Sequence, residues 1–329
     1  MKRALGALRS PLIKWLFLAV ALGLGVWAVW RQWDEIVVAL AQLNVWLLVL
    51  AALVSAAYVW CTMLSWRRIL RDLGSPISIG AATELFGVSQ IGKYIPGGVW
   101  NIVAAAEIGM AHQIPRRRSV TAMAIAVLVS LVSGLAIGCT AFLFSPSPAL
   151  QAWGWLVVAA VPLAVALVPP VLNRVVALVF RLTKRPPLES PLSTRGVLVS
   201  VIWALLGWAL AGLQVWLLAT GLGSAGPELA WLCIAGYALA WSAGFLFIVA
   251  PAGVGAREAV LGATLAGGVS GPVVLTVVLL SRVLLTLVDV VLATIGLIAG
   301  RRIRAARAAG DDAASAEPAT TPNDGRPSR

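Results

Sequence analysis

The stretch IGKYIPGGVWN, residues 91–101, interrupts a chain that is otherwise a succession of apolar runs. Proline removes a backbone donor and glycine disfavours helix, so a helix that reaches Pro96 must end there. Lipid cannot satisfy the backbone groups that such a break frees, and the break must be buried in protein or face a wet cavity. Lys93 beside it is costly at membrane depth. A break and a cation kept together favour a binding function.

The composition is that of an integral membrane protein. Of the 329 residues, 60% are hydrophobic and 12% are charged, and the mean hydropathy is +0.93. Several apolar runs reach the roughly 20 residues that cross a bilayer as a helix. The net charge of +12 comes from clusters of Lys and Arg in short segments between these runs. No basic soluble domain is evident, so we expect no nucleic-acid partner.

The apolar runs predict an all-α polytopic membrane protein with about six full transmembrane helices and two broken re-entrant hairpins. The predicted full spans are Leu12–Trp30, Val45–Trp66, Val120–Phe144, Trp153–Leu172, Val197–Thr220 and Val273–Ile298. The first hairpin joins Ile79–Ile95 to Val99–Ala111, and the second joins Leu229–Val249 to Arg257–Leu265. Leu229–Val249 is also long enough to span fully, which would break the symmetry between the hairpins.

The distribution of Lys and Arg predicts the orientation. With residues 1–11 in the cytoplasm, nineteen of these cations fall in cytoplasmic segments and one, Arg31, falls in an outer loop. Positive segments stay in the cytoplasm, so both termini are expected there, in the cytoplasmic (inner) membrane. Lys14 interrupts the first apolar run, which favours an uncleaved span over a signal peptide. Residues 301–329 are predicted to be a cytoplasmic tail that is basic and then, from about residue 308, disordered.

The two halves of the chain, residues 12–144 and 145–300, show the same order of elements: span, span, broken hairpin, span. Three full crossings in each half are an odd number, so the second repeat is predicted to be inverted. Pro96 lies 155 residues before Pro251, which heads the second break. Inverted repeats whose discontinuous helices meet near the midplane are the plan of secondary transporters.

The half-helices after the breaks predict an anion site. Their free N–H groups and dipoles favour negative charge, with Lys93 beside the first and Arg257 in the first turn of the second. Arg282 and Asp289 are seven residues apart on one helix face, and they can point at a common cavity without touching. The predicted substrate-binding residues are Lys93, Tyr94, Pro96, Gly97, Gly98, Asn101, Pro251, Gly253, Gly255, Arg257, Glu258, Arg282 and Asp289.

A structural interpretation stands beside each of these sites. The prolines and glycines can permit close helix packing while Lys93 reaches the surface. Glu258 can cap its helix, and Tyr94 can anchor at the interface. Gly134 and Gly138 form a helix-packing motif.

Other polar residues are interpreted structurally. Glu84 and Glu107 are expected nearer the interface. His112, the single histidine, is expected to be solvated there, because one histidine cannot build a metal site without partners. The cysteines, all within apolar runs, are expected to be small core residues without metal spacing or disulfides: Cys61, Cys139 and Cys233. The sequence indicates no metal and no cofactor.

No catalytic constellation is evident in the sequence. It shows no nucleophile–base pair, no phosphate-binding loop and no sizeable extramembrane domain. We therefore expect a protein that is not an enzyme.

The two breaks resemble one known family. KYIPGG at residues 93–98 and PAGVGARE at residues 251–258, with Arg282 in the last span, are similar to the membrane region of lysylphosphatidylglycerol synthases. The resemblance covers about residues 12 to 300. In the synthases this flippase-like region is associated with moving an aminoacylated lipid between leaflets, and a cytosolic domain performs the aminoacylation. The resemblance implies the translocating region without the synthetic domain.

The sequence thus predicts translocation of a lipid or lipid-linked anionic head group between leaflets. The expected partners are membrane lipids with an anionic or phosphate-bearing head group, with Lys93, Arg257 and Arg282 as counter-charges. Glu258 and Asp289 are expected to hold those cations or to titrate. One alternative is a membrane partner or regulator of a lipid or cell-envelope glycan synthase that moves nothing. Another is an accessory subunit of a membrane glycosyltransferase that uses a polyprenyl phosphate.

Overall fold

The computed structural model describes residue 30 and residues 33–94, 100–145, 148–182, 184, 191–224, 226–247, 253–266 and 268–316. Four sequence predictions fall outside these ranges. They concern the span Leu12–Trp30 except for its last residue, the segment Pro96–Gly98, Pro251, and the tail beyond residue 316.

The described residues form helices and connecting turns, without strands. The α-helices are α1 Trp33–Gln42, α2 Val45–Asp72, α3 Ile79–Ile91, α4 Trp100–Ala111, α5 Arg116–Gly138, α6 Ala141–Phe144, α7 Pro148–Gln151, α8 Ala160–Ala166, α9 Pro169–Leu182, α10 Thr194–Gly221, α11 Pro227–Leu246, α12 Ala256–Leu265 and α13 Gly271–Ala316. Gly92–Tyr94 and Gly154–Ala159 are 3-10 helices. The predicted all-α architecture is confirmed.

Side-chain caps mark the start of several helices. Asn44 accepts a hydrogen bond from the backbone N–H of Trp46 at the start of α2, at 3.0 Å. Ser78 and Ser193 serve α3 and α10 in the same way. A cap satisfies N–H groups that have no partner inside the helix, so these residues fix where the helices begin.

Five helical segments of the described chain are long and apolar enough to cross a membrane: Val45–Asp72, Arg116–Phe144, Thr194–Gly221, Leu229–Leu246 and Gly271–Ala305. Four of them contain the predicted spans Val45–Trp66, Val120–Phe144, Val197–Thr220 and Val273–Ile298. The outward face of α13 carries exposed apolar side chains, among them Val283, Leu287 and Val290. Exposed apolar surface of this kind suits contact with lipid. The chain is a multi-pass membrane protein.

The predicted span Trp153–Leu172 is wrong as a single helix. The chain forms the 3-10 helix Gly154–Ala159, then α8, and then α9 at an angle of 92°. Pro169 and Pro170 begin α9. Proline has no N–H to donate to the preceding turn and restricts the residue before it, so the first helix ends and the second begins there.

The predicted arm Leu229–Val249 forms the helix α11, and its re-entrant placement stays a prediction. It is continuous from Pro227 to Leu246, and its apolar part, Leu229–Leu246, has the length of a full crossing. It packs beside α12, as α3 packs beside α4. The two helix pairs are therefore present, whereas the inverted repeat and the division at residue 144 stay predictions.

The core joins helices from both predicted halves of the chain. The most extensive contacts are those of α10 along α2 and of α13 along α3. Gly134 and Gly138 of α5 lie at a close helix contact, as their spacing predicts. A Cβ on Gly138 would lie 2.9 Å from the Cα of Leu239 on α11. Small residues here let the backbones approach.

The last helix is longer than the sequence predicts. It continues to Ala316, past residue 308, where the disordered tail is predicted to begin. Residues 305–316 are rich in alanine, which has the highest helix propensity of all residues and favours continuation of an existing helix.

Candidate functional site

A cavity of about 410 Å³ lies among α2, α3, α4, α5, α11, α12 and α13. Its lining combines basic and aromatic side chains. The basic residues are Lys93, Arg257 and Arg282, and the aromatic residues are Tyr58, Trp66, Phe86, Trp241, Phe245 and Phe247. The three cations predicted to share a site therefore line one cavity. No carboxylate is among the described residues that line it.

Lys93 lies on the 3-10 turn that follows α3, where the sequence places the first break. Its Nζ is 2.6 Å from Oδ2 of Asp289 on α13 and 3.3 Å from Oε1 of Gln90. The Lys93 side chain is 33% exposed and that of Asp289 is 1% exposed. The cation thus lies at the cavity wall and the carboxylate lies behind it.

Tyr94 supports the same carboxylate. Its hydroxyl donates a hydrogen bond of 2.6 Å to Oδ2 of Asp289. Tyr94 is not among the residues that line the cavity. The structure therefore places it as a partner of Asp289 rather than on the cavity wall or as an interfacial anchor.

Arg257 lies in the first turn of α12, as predicted, and is its second residue. Its guanidinium lies over the ring of Tyr237, with 4.6 Å between Cζ and the ring centroid, and it also donates to the Tyr237 hydroxyl. The Tyr237 ring is buried and meets Tyr58 edge to face at 5.9 Å. A cation over an aromatic face is attracted by the ring quadrupole. This contact holds Arg257 at the wall.

Glu258 caps α12, which is the structural role that the sequence offered as an alternative. Its Oε2 accepts a hydrogen bond of 2.6 Å from the backbone N–H of Gly255, whose φ of +87° suits glycine. Its Oε1 lies 3.5 Å from Nε of Arg282. Because this carboxylate occupies the start of α12, the predicted anion site at that helix end is already partly satisfied from within the chain.

Arg282 and Asp289 do not form an ion pair with each other. This agrees with the prediction that two residues seven apart on one helix do not touch directly. Arg282 pairs with Glu258, and Asp289 pairs with Lys93. Two ion pairs therefore connect α13 to the segments on either side of the cavity. Of the remaining predicted residues, Asn101 and Gly253 line the cavity, whereas Pro96, Gly97, Gly98 and Pro251 lie outside the described residues.

The aromatic residues that α11 contributes at the cavity were not predicted from the sequence. Trp241 and Phe245 line the cavity and Tyr237 contacts Arg257. The three residues follow one another at intervals of four, which places them on one face of α11. The Trp241 and Phe245 rings stack at 5.4 Å with 7° between their planes. This periodicity was the signal that could have identified them.

The prediction of a solvated His112 is wrong. Its side chain is 5% exposed, and its Nε2 lies 2.8 Å from Oε2 of Glu84. Arg304 of α13 donates to the other carboxylate oxygen of Glu84 at 2.6 Å. This cluster joins α3 to α13 away from the cavity. Glu107, in contrast, forms an exposed ion pair with Arg116.

The cysteines are buried and free, as predicted: Cys61, Cys139 and Cys233. Within the described ranges, no group of three or more His, Cys, Asp or Glu side chains could hold a metal ion.

A helical bundle with several segments long enough to span a membrane, around a cavity lined by basic and aromatic side chains, defines a polytopic membrane protein. The chain belongs to the family described as the lysylphosphatidylglycerol synthase TM region, whose model matches residues 14–293. The match confirms the family that the motifs at the two breaks predicted. Among curated proteins, none matches the sequence. The family and the fold together indicate a membrane-associated role related to lipids.

Proposed function

We propose that this protein translocates a lipid with an anionic head group between the leaflets of the cytoplasmic membrane. The observation that carries the proposal is the convergence of Lys93, Arg257 and Arg282 on one cavity inside a membrane bundle. Charged side chains at membrane depth are costly and are retained at substrate pathways. Three of them around one space favour a ligand of opposite charge.

The dimensions of the cavity favour a head group rather than a whole lipid. A volume of about 410 Å³ is near the lower end of the roughly 300–1,000 Å³ typical of ligand sites. The acyl chains would remain in the bilayer while the head group crosses through the protein. Arginine suits this task because its planar fork can donate two parallel hydrogen bonds to a phosphate.

The proposed role is transport rather than catalysis. The charge pattern of the loops supports a location in the inner membrane with both termini in the cytoplasm. The proposed partners are lipids that carry a phosphate. The sequence contains no ATP-binding motif, so the proposed driving force is an ion gradient or consumption of the lipid on one side.

Proteoliposomes test the proposal. The protein would be reconstituted with fluorescent phosphatidylglycerol or fluorescent phosphatidylcholine, and a membrane-impermeant quencher would report the fraction of label in the outer leaflet with time. We expect wild type to accelerate exchange of the anionic lipid. Arg257→Gln removes a charge-assisted contact worth about 1.5–3 kcal/mol, so we expect exchange to slow by about tenfold or more.

Arg116→Gln is the matched control, because it removes an exposed arginine that pairs with Glu107 away from the cavity. We expect exchange within about twofold of wild type, since exposed ion pairs contribute little. Failure of folded wild-type protein to move any lipid in a wider panel would contradict the proposal. Capture of a stable synthase partner, with Arg257 dispensable for function, would instead support the role of a regulator that moves nothing.

A further inference from the structure

Asp289 is an unusually buried and incompletely satisfied carboxylate. It lies on α13 with 1% of its side chain exposed. Oδ2 accepts hydrogen bonds from Lys93 and from Tyr94. Oδ1 is buried and has no hydrogen-bond partner among the residues that the structure describes. An ionised carboxylate offers about four acceptor positions, so this group is stabilised on one oxygen only.

The partner of Asp289 can reach the cavity, whereas Asp289 cannot. Lys93 lines the cavity and has a third of its side chain exposed. Its four-carbon stem is flexible and its ammonium donates in three directions. An anionic group that enters the cavity therefore competes with Asp289 for Lys93.

The other charged and titratable groups around Asp289 are placed differently. Arg257 of α12, Tyr58 of α2 and Tyr237 of α11 lie close enough to interact with it electrostatically. Arg282 lies two turns away on the same helix and pairs with Glu258. In the described part of the chain, Lys93 is the one cation within salt-bridge distance of Asp289.

We propose that Asp289 takes up one proton when an anionic head group draws Lys93 away, so that each monoanionic head group crosses together with a proton. Before binding, the ammonium and the carboxylate balance each other. After binding, the ammonium balances the phosphate diester, and the carboxylate is neutral because a proton from solution has bound to it. A buried carboxylate that loses its cation neutralises rather than remaining charged. The inference rests on the proposed function, and it names the driving force as a proton gradient.

Proton uptake during binding tests the inference directly. Purified wild-type protein in weakly buffered detergent near pH 7 would be mixed with short-chain phosphatidylglycerol. A pH indicator would measure the number of protons taken up, and a radiolabel on the lipid would measure the amount of lipid bound. The phosphate diester stays ionised near neutral pH, so any protons that leave the solution must bind to the protein. We expect close to one proton for each bound lipid, and none with short-chain phosphatidylcholine.

The variants Asp289→Asn and Asp34→Asn extend the test. Asp34 is exposed on α1 and serves as the matched control, with uptake unchanged. Asp289→Asn is expected to bind the lipid without uptake. If this variant fails to fold, the proton uptake measured on wild type still tests the inference. Binding by wild type without proton uptake overturns the inference and leaves the proposed function intact, whereas absence of binding overturns both.

A transport measurement gives an independent number. In liposomes with an interior one pH unit more alkaline, coupling of one proton to one monoanionic lipid would enrich labelled phosphatidylglycerol about tenfold in the inner leaflet at equilibrium. The pair carries no net charge, so a membrane potential should leave this ratio unchanged. Equal distribution between leaflets despite rapid exchange would overturn the coupling and support simple scrambling.

Discussion

Replacing Gly212 with alanine tests a close contact between the backbones of α10 and α11. Gly212 lies on α10, and a Cβ there would be 2.2 Å from Cα and 2.6 Å from N of Ile234 on α11. These are backbone atoms, so no side-chain rotation can relieve the contact. Carbon atoms pack at about 3.5–4.0 Å. The two helices would have to separate by more than about 1 Å at this point.

The matched control is Gly207→Ala on the same helix. A Cβ at Gly207 would meet the side chain of Tyr58 at 3.6 Å, which is an ordinary contact. Overpacking a core costs about 1–3 kcal/mol. Alanine instead of glycine within a helix gains about 0.5–1 kcal/mol. Both variants share the gain from alanine, so we expect the free energy of unfolding of Gly212→Ala to lie about 1–3 kcal/mol below that of Gly207→Ala, which should equal or slightly exceed that of wild type.

Unfolding by sodium dodecyl sulfate in mixed micelles, followed by tryptophan fluorescence, measures the difference between the two variants. Lipid exchange in proteoliposomes is the second readout, because α11 carries Trp241 and Phe245 of the cavity wall. We expect Gly212→Ala to slow exchange and Gly207→Ala to leave it unchanged. Equal stability of the two variants would refute the assignment of Gly212 to a close backbone contact.

Two further predictions concern the second buried carboxylate and the topology. Glu84→Gln is expected to lower the free energy of unfolding by about 2–3 kcal/mol, because a 5% exposed carboxylate loses two charge-assisted hydrogen bonds. The exposed Glu107→Gln should change it by less than about 0.5 kcal/mol, and similar losses in the two variants would contradict the argument. Single cysteines at Gly98 and Gly253, in a background without the three native cysteines, are expected to react with impermeant reagents from the cytoplasm and from outside, respectively. Labelling of both from one side would contradict the inverted repeat.

The sequence predicted the class of fold because helix length and apolar content determine it almost alone. Four predicted spans lie within long helices of the structure, and the second half-helix begins one residue before Arg257. Charged residues inside apolar runs also identified the cavity cations. Their cost in lipid leaves few reasons for their presence, so Lys93, Arg257 and Arg282 could be grouped before their contacts were known.

The predictions failed at features that depend on contacts between residues distant in the sequence or on the direction of the chain at a break. Hydropathy alone could not show that Pro169 and Pro170 turn the chain by 92° between two apolar segments. Burial of His112, which follows α4, depends on Glu84, which lies 28 residues earlier on α3. Linear spacing carries no information about such a pair, and the local sequence, with three arginines following, indicated solvent.

The pairing of the cavity cations is consistent with the proposed transport function, because it would weaken the binding of an anion. Two of the three are already matched by carboxylates of the chain, Lys93 by Asp289 and Arg282 by Glu258. An incoming anion must therefore replace an existing ion pair, and only the difference between the two pairings appears as binding free energy. Three uncompensated cations in a site of low dielectric would hold a phosphate too strongly for release. A transporter needs a site that the substrate can leave on the opposite side. Under the proposed function, the internal carboxylates would supply the means of release by recapturing their cations.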